Sequence, residues 1–230
     1  MWLRIINQLF YGFYQLARSY LYDEFKLNKM SNLRSANYPR MSKLRTSTSS
    51  VHDQLDKKIM AQSPFENKAN YGQFLRYQYY LMDYVAGLYQ NSQLADMIPD
   101  LQNRDRCAQL IQDFQDLGMA QPEPLPTHSH LDASLFESLG WLYVIEGSKL
   151  GAAILAKEAE KLGLNSEFGA RFLAGSNQGA HWRQFMQGVE EAPLSEPQVQ
   201  AMLEGAQAAF KFANELVELS YAQSEDAHVA

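Results

Sequence analysis

Hydrophobic positions along this chain recur at helical spacing, and no stretch alternates with the period of two that a half-buried strand needs. From Met41 to Met60, Leu44, Thr48, Val51, Leu55 and Ile59 fall on one face, which predicts a helix with a single buried stripe. Asn70 to Tyr89 repeats the pattern through Phe74, Tyr77, Gln78, Leu81, Tyr84, Val85 and Leu88, and a shorter segment follows near Leu94. Another helix is predicted from Arg104 to Leu117, ended by Gly118. The run QPEPLPTHSH, 121–130, cannot be helical and reads as a linker. Beyond it lies a long helix through Gly140 to Gly163. Gly169 to Gly188 reads as a broken pair of turns containing His181 and Trp182. Pro197 then opens a last helix to about Tyr221, with Ala206, Phe210, Ala213, Leu216 and Val217 facing inward. With no internal repeat, the expected fold is all-α, a single-domain helical bundle.

The long helix, GWLYVIEGSKLGAAILAKEAEKLG, has glycines where a helix should not want them. Ala152, Ala153, Leu155 and Ala156 are good helix formers and Gly163 sits at a C-cap position, yet Gly140, Gly147 and Gly151 are interior. Each costs roughly 1 kcal/mol relative to alanine. At about 100° per residue the three lie within roughly 40° of one another, so they expose one strip of bare backbone. A kink is expected at Gly147-Ser148 and Gly151, with something flat or bulky lying against the strip. A tight helix crossing is the plainer explanation of such a strip. A membrane crossing of that kind is excluded by Glu146, Lys149, Lys157, Glu158, Glu160 and Lys161.

On the helix from Met41 to Met60, His52 sits at the edge of the buried stripe, with Arg45 within about 20° of it and roughly 10 Å along the axis. An imidazole able to bind iron thus has a cation two turns away, a spacing that suits a flat ligand with carboxylates at its rim. A histidine beside an apolar stripe is more often a packed residue than a ligand. Its pairing with the glycine strip reverses that preference.

The segments LRTSTSSVHDQLDKKIM and LGWLYVIEGSKLGAAILAK, in this order and at this separation, resemble the proximal and distal helices of the bacterial haem oxygenases. The resemblance covers about 41–222, and both motifs are long and specific. It implies an all-helical enzyme in which His52 is the axial ligand of haem, and Gly147 and Gly151 present bare backbone to iron-bound dioxygen. Ser148 would help to order a distal water. Tyr143 and Arg45 occupy the places of the residues that hold the haem propionates, which favours the α-cleaving orientation. The implied reaction converts haem, O2 and electrons to biliverdin, CO and ferrous iron, with haem both cofactor and substrate.

Composition fits this picture. The 230 residues are 46% hydrophobic and 12% aromatic, enough for one sizeable core. Cys107 is the single cysteine, so no disulfide framework exists and a reducing cytoplasm is the expected location. Net charge is -6, divided between a basic front, eight Lys and Arg against two Asp and Glu over 1–45, and an acidic remainder that argues against nucleic acid. The front contains a mildly basic amphipathic leader with Trp2, Ile6, Leu9, Phe10, Phe13, Leu16 and Tyr20 at near-helical spacing. It has neither the unbroken apolar core nor the cleavage site of a secretory signal. Three readings stay open: a true start at Met30 or Met41, a helix resting on membrane (1–25) or partner, and an extra helix packed on the body. The expected organisation is therefore an extension over 1–40, an enzymatic domain over 41–222 and a flexible tail over 223–230.

No phosphate loop, dinucleotide fingerprint or flavin motif is present, so no bound NAD or flavin is expected. Electrons are expected from a separate ferredoxin or flavoprotein reductase, and the protein is expected to be a monomer. His128 and His130 are expected to be exposed in the linker. Asp56, one turn from His52, reads as a solvated charge, and Cys107 as incidental. A haem carrier or sensor without turnover is the alternative function.

Overall fold

The computed structural model describes residues 38–125, 131–175 and 177–222, and all the regular structure within them is helical. α1 spans Pro39–Ala61 and α2 Lys68–Val85, the latter running on into a 3-10 turn, Ala86–Gln90. α3 (Ser92–Met97), a 3-10 turn at Leu101–Arg104 and α4 (Cys107–Asp116) follow. α5 (Leu135–Ser148) and α6 (Ala152–Glu160) are joined by the 3-10 turn Lys149–Gly151, and α7 (Gln178–Glu191) and α8 (Glu196–Ala222) complete the body. The leader, the tail and His128 and His130 lie outside the described residues.

α5 forms the centre because its sequence is apolar nearly all round. Leu139, Trp141, Leu142, Val144 and Ile145 are all buried. Its start is fixed by a capping box: the Ser134 hydroxyl accepts from the Glu137 amide at 3.3 Å, and the Ser134 amide donates to the Glu137 carboxylate at 2.8 Å. The main partner of α5 is α8, and two glycines set their crossing. A Cβ on Gly140 would overlap the Met202 carbonyl oxygen and stand 2.5 Å from the Ala206 nitrogen. A Cβ on Gly205 would in turn overlap the Glu137 carbonyl oxygen. Each backbone lies against the other's missing side chain, so the first glycine of the strip is a packing residue and belongs to a different surface from Gly147 and Gly151. Tyr84, Trp141 and Phe212 close the core where α2, α5 and α8 meet, the Tyr84 and Phe212 ring centres 4.2 Å apart.

Charged side chains tie the outer helices down. The Arg40 guanidinium donates to the carbonyls of Val189, Glu190 and Ala192 at 2.7, 2.9 and 2.7 Å, which caps the end of α7 with the start of α1. Asp113 of α4, fully buried, accepts the amides of Arg171 and Phe172 at 2.9 Å each. Burial raises its carboxyl above the usual range, and those two amides oppose the shift.

Two expected boundaries move. Arg104 does not open α4; it ends a 3-10 turn, and α4 begins at Cys107. The stretch read as broken turns up to Gly188 is instead occupied from Gln178 by the helix α7, which begins after Asn177 in the left-handed region at φ 63° and runs on to Glu191. Gly188 there does not break the helix. It admits the Met97 carbonyl, which any Cβ would overlap. Gly163, at φ 75°, ends the helical run after α6 as expected.

Candidate functional site

α1 presents a polar face above its buried residues Met41, Leu44, Thr48 and Leu55. His52 stands on that face with its side chain 52% exposed, held between Asp56, whose carboxylate is 3.5 Å from Nε2, and Phe210 of α8, whose ring centre is 5.6 Å away. Asp56 is therefore not merely solvated; it is a neighbour of the imidazole. Arg45 lies two turns before His52 and is also exposed. Thr48, between them, is buried and donates its hydroxyl to the Leu44 carbonyl at 2.8 Å.

α5 meets this face through Tyr143. Its phenol lies within electrostatic reach of the Thr48 side chain and of Arg45. Desolvation pushes the phenol above its ordinary range, and the nearby Thr48 hydroxyl and Arg45 charge pull it back. Arg45, Thr48 and Tyr143 thus lie near one another.

One turn along α5, Gly147 faces Trp182 of α7. A Cβ there would make ordinary contact with the indole at 3.5 Å. At Gly151 nothing lies within 4 Å of a Cβ position, so its backbone borders open space. Trp182 also packs on Tyr143, ring centres 5.6 Å apart. Ser148 is exposed and donates its hydroxyl to the Ile145 carbonyl at 2.8 Å. Its proton is thereby used inside the helix, leaving the oxygen as an acceptor for water.

Beneath the kink lies a buried polar cluster that sequence reasoning missed. Glu146 and Arg104 are 2% and 1% exposed, and Arg104 Nη1 donates to Glu146 Oε2 at 3.3 Å. Lys149 donates to Glu146 Oε1 at 2.6 Å and to the Tyr89 hydroxyl at 3.0 Å, and that hydroxyl is itself 3.0 Å from Glu146 Oε1. Desolvation lowers the Lys149 ammonium below its usual range and raises the Tyr89 phenol well above its own. A glutamate closing the otherwise apolar run from Leu139 was the available signal. In the sequence it served only to reject a membrane span.

Elsewhere the chemistry is sparse. Burial pushes the Cys107 thiol up, away from the thiolate a nucleophile needs. Among the described residues no group of three or more His, Cys, Asp or Glu side chains is placed to hold a metal ion. A cavity of about 200 Å³ lined by Tyr84, Leu88, Asn91, Leu131 and Ser138 involves none of the site residues.

Residues 40–219 match the family model described as Heme oxygenase. The chain is 36% identical over 187 residues to the heme oxygenase PigA of Pseudomonas aeruginosa, covering 80% of this chain and 93% of that one. Its fold is similar to that of the NO- and CO-bound heme oxygenase from Neisseria meningitidis, with a TM-score of 0.72 at 34% identity over 80% of this chain and 92% of that one.

Proposed function

Because the chain belongs to the haem oxygenase family, we propose that haem lies between the polar face of α1 and the kinked end of α5, with His52 as its axial ligand. The protein is an oxidoreductase that degrades haem, which is both its substrate and its cofactor, and it takes electrons from a reductase. The observation that carries the seating is the meeting of Tyr143 with Thr48 and Arg45 beside the open backbone at Gly151. A flat dianion fits such a place. Its carboxylates meet a guanidinium and a phenol at the rim, and its face meets main chain with no Cβ in the way.

When bound, haem supplies the iron that binds and activates oxygen. The protein's part is to hold and to shape. His52, beside Asp56, would offer a nitrogen ligand without the electron push of a thiolate. The backbone from Gly147 to Gly151 leaves room for dioxygen and offers only peptide groups and water, which are not themselves easily oxidised. Arg45 and Tyr143 fix the in-plane angle, which favours α-cleavage. O2 as co-substrate, a ferredoxin or flavoprotein as donor, and a cytoplasmic monomer with its enzymatic domain over 41–222 complete the reading. One run, Leu135–Glu160, is long and apolar enough to cross a membrane by composition, but in this fold its first part, α5, is packed into the core.

Aerobic reductant added to the haem complex tests the reading. Loss of the Soret band with appearance of biliverdin is expected. A Soret band that persists through many equivalents of reductant marks a carrier or sensor.

A further inference from the structure

The cluster beneath the kink has no place in the chemistry described so far, and its cost demands a reason. Replacing a buried ion pair by packed apolar groups is often neutral or stabilising, so stability alone does not explain one carboxylate set between two cations. Its geometry does suggest a reason. Glu146 and Lys149 bracket Gly147-Ser148, and both side chains turn inward to the same point. Arg104 Nη1, bonded to Glu146, also donates to the His181 carbonyl at 3.0 Å. Nη2 donates to the Pro99 carbonyl at 2.6 Å and the Gln184 side chain at 2.9 Å. Lys149 closes the circuit on the Arg104 carbonyl at 2.7 Å. The residue after His181 is Trp182, whose ring faces Gly147.

We propose that Arg104, Glu146 and Lys149 are positioning residues that clamp the Gly147–Gly151 backbone against the Trp182 ring and so control oxygen chemistry through the main chain. The proposal rests on the reading that this backbone faces the haem iron. Where α-helical hydrogen bonding gives way to a 3-10 turn, the backbone has lost its regular restraint. Here the restraint passes to three charged side chains, Glu146 of α5, Lys149 of the 3-10 turn itself and Arg104 of the turn before α4, the last of which also bonds His181 and Gln184 of α7. With the carboxylate neutralised, the kink loses its common attachment while haem keeps its axial ligand and its propionate anchors.

The test compares Glu146→Gln with Asp113→Asn, a buried carboxylate remote from the kink, and with Tyr89→Phe, a milder change in the same cluster. In the haem-free protein, amide hydrogen exchange over 147–152 should quicken by about tenfold in Glu146→Gln, beyond any global change, and less in Tyr89→Phe. In the haem complexes of these two variants, the C–O stretch of bound CO should shift or broaden. Turnover should fall by about tenfold in Glu146→Gln while haem affinity stays within about threefold, the signature of an interaction made in the reaction rather than in binding. Asp113→Asn should lower stability and do none of these. If Glu146→Gln does not fold, Tyr89→Phe carries the same readouts at smaller amplitude. Exchange over 147–152 that merely follows global stability, with the CO stretch and turnover unchanged, overturns the clamp. Exchange in the haem-free protein reports the clamp wherever haem binds, whereas full turnover in Gly147→Val overturns the reading beneath it.

Discussion

Alanine placed at each glycine of the strip separates packing from access. Helix propensity alone favours alanine by roughly 1 kcal/mol at every one of the three positions. At Gly151 nothing opposes that gain, because a Cβ meets open space. At about 2–4 °C per kcal/mol for a chain of this size, Gly151→Ala should raise the melting temperature of the haem-free protein by a few degrees. Gly147→Ala should behave similarly, since its Cβ only touches the Trp182 ring at 3.5 Å. At Gly140 the new atom overlaps the Met202 carbonyl and crowds the Ala206 nitrogen, and backbone cannot swing aside as a side chain can. Overpacking costs about 1–3 kcal/mol, and a clash with backbone lies at the upper end, about 3 kcal/mol, so after the propensity gain of about 1 kcal/mol the net loss should be about 2 kcal/mol. The melting temperature of Gly140→Ala should then fall by about 4–8 °C. Thermal unfolding followed by circular dichroism measures all three. Turnover should rank the other way, with Gly147→Val and Gly151→Val folded but poorly active. A Gly140→Ala protein as stable as Gly151→Ala would refute the packing argument, and full turnover in both valine variants would refute the access argument.

Loss of the α5 cap in Ser134→Ala should cost about 1 kcal/mol in urea unfolding. Ser134 holds the Glu137 carboxyl below its ordinary range, so the advantage of the wild type over Glu137→Gln should be fully present above the unfolded-state pKa and vanish as pH falls through the lowered folded value. For the product, two charge-assisted hydrogen bonds at roughly 1.5–3 kcal/mol each are enough to hold one haem orientation by tenfold or more, so chromatography should find mainly α-biliverdin. Arg45→Asn combined with Tyr143→Phe should yield a mixture with β or δ isomers at similar total activity, and a wild-type product already dominated by β and δ contradicts the anchor role.

Helices announced themselves where one apolar face repeats over several turns, as in α1, α2 and α8. The kink between α5 and α6 was legible because glycine is costly inside a helix and so advertises itself. What glycine does not advertise is its partner. Gly140 and Gly151 look alike in the sequence, and only the approach of Met202 to one of them separates their roles. α7 was missed for the same reason, since the stretch from Gly169 to Gly188 reads as broken turns until the Met97 carbonyl is seen to need the space at Gly188. His52 and Arg45 stood out through spacing and Tyr143 through resemblance, and the structure places Tyr143 within electrostatic reach of Arg45. Arg104, Glu146 and Lys149 did not stand out, because a charge that is buried and paired has the same letter as one in solvent.

The seating of haem on α1 rests on one imidazole, and His52→Ala tests it most directly. His52 is half exposed at the edge of the buried stripe, so the variant should fold and melt close to the wild type. With aerobic reductant its haem complex should form no biliverdin, and added imidazole should restore turnover. A His52→Ala protein that keeps the wild-type ferric haem spectrum and its rate of biliverdin formation would show that the ligand lies elsewhere.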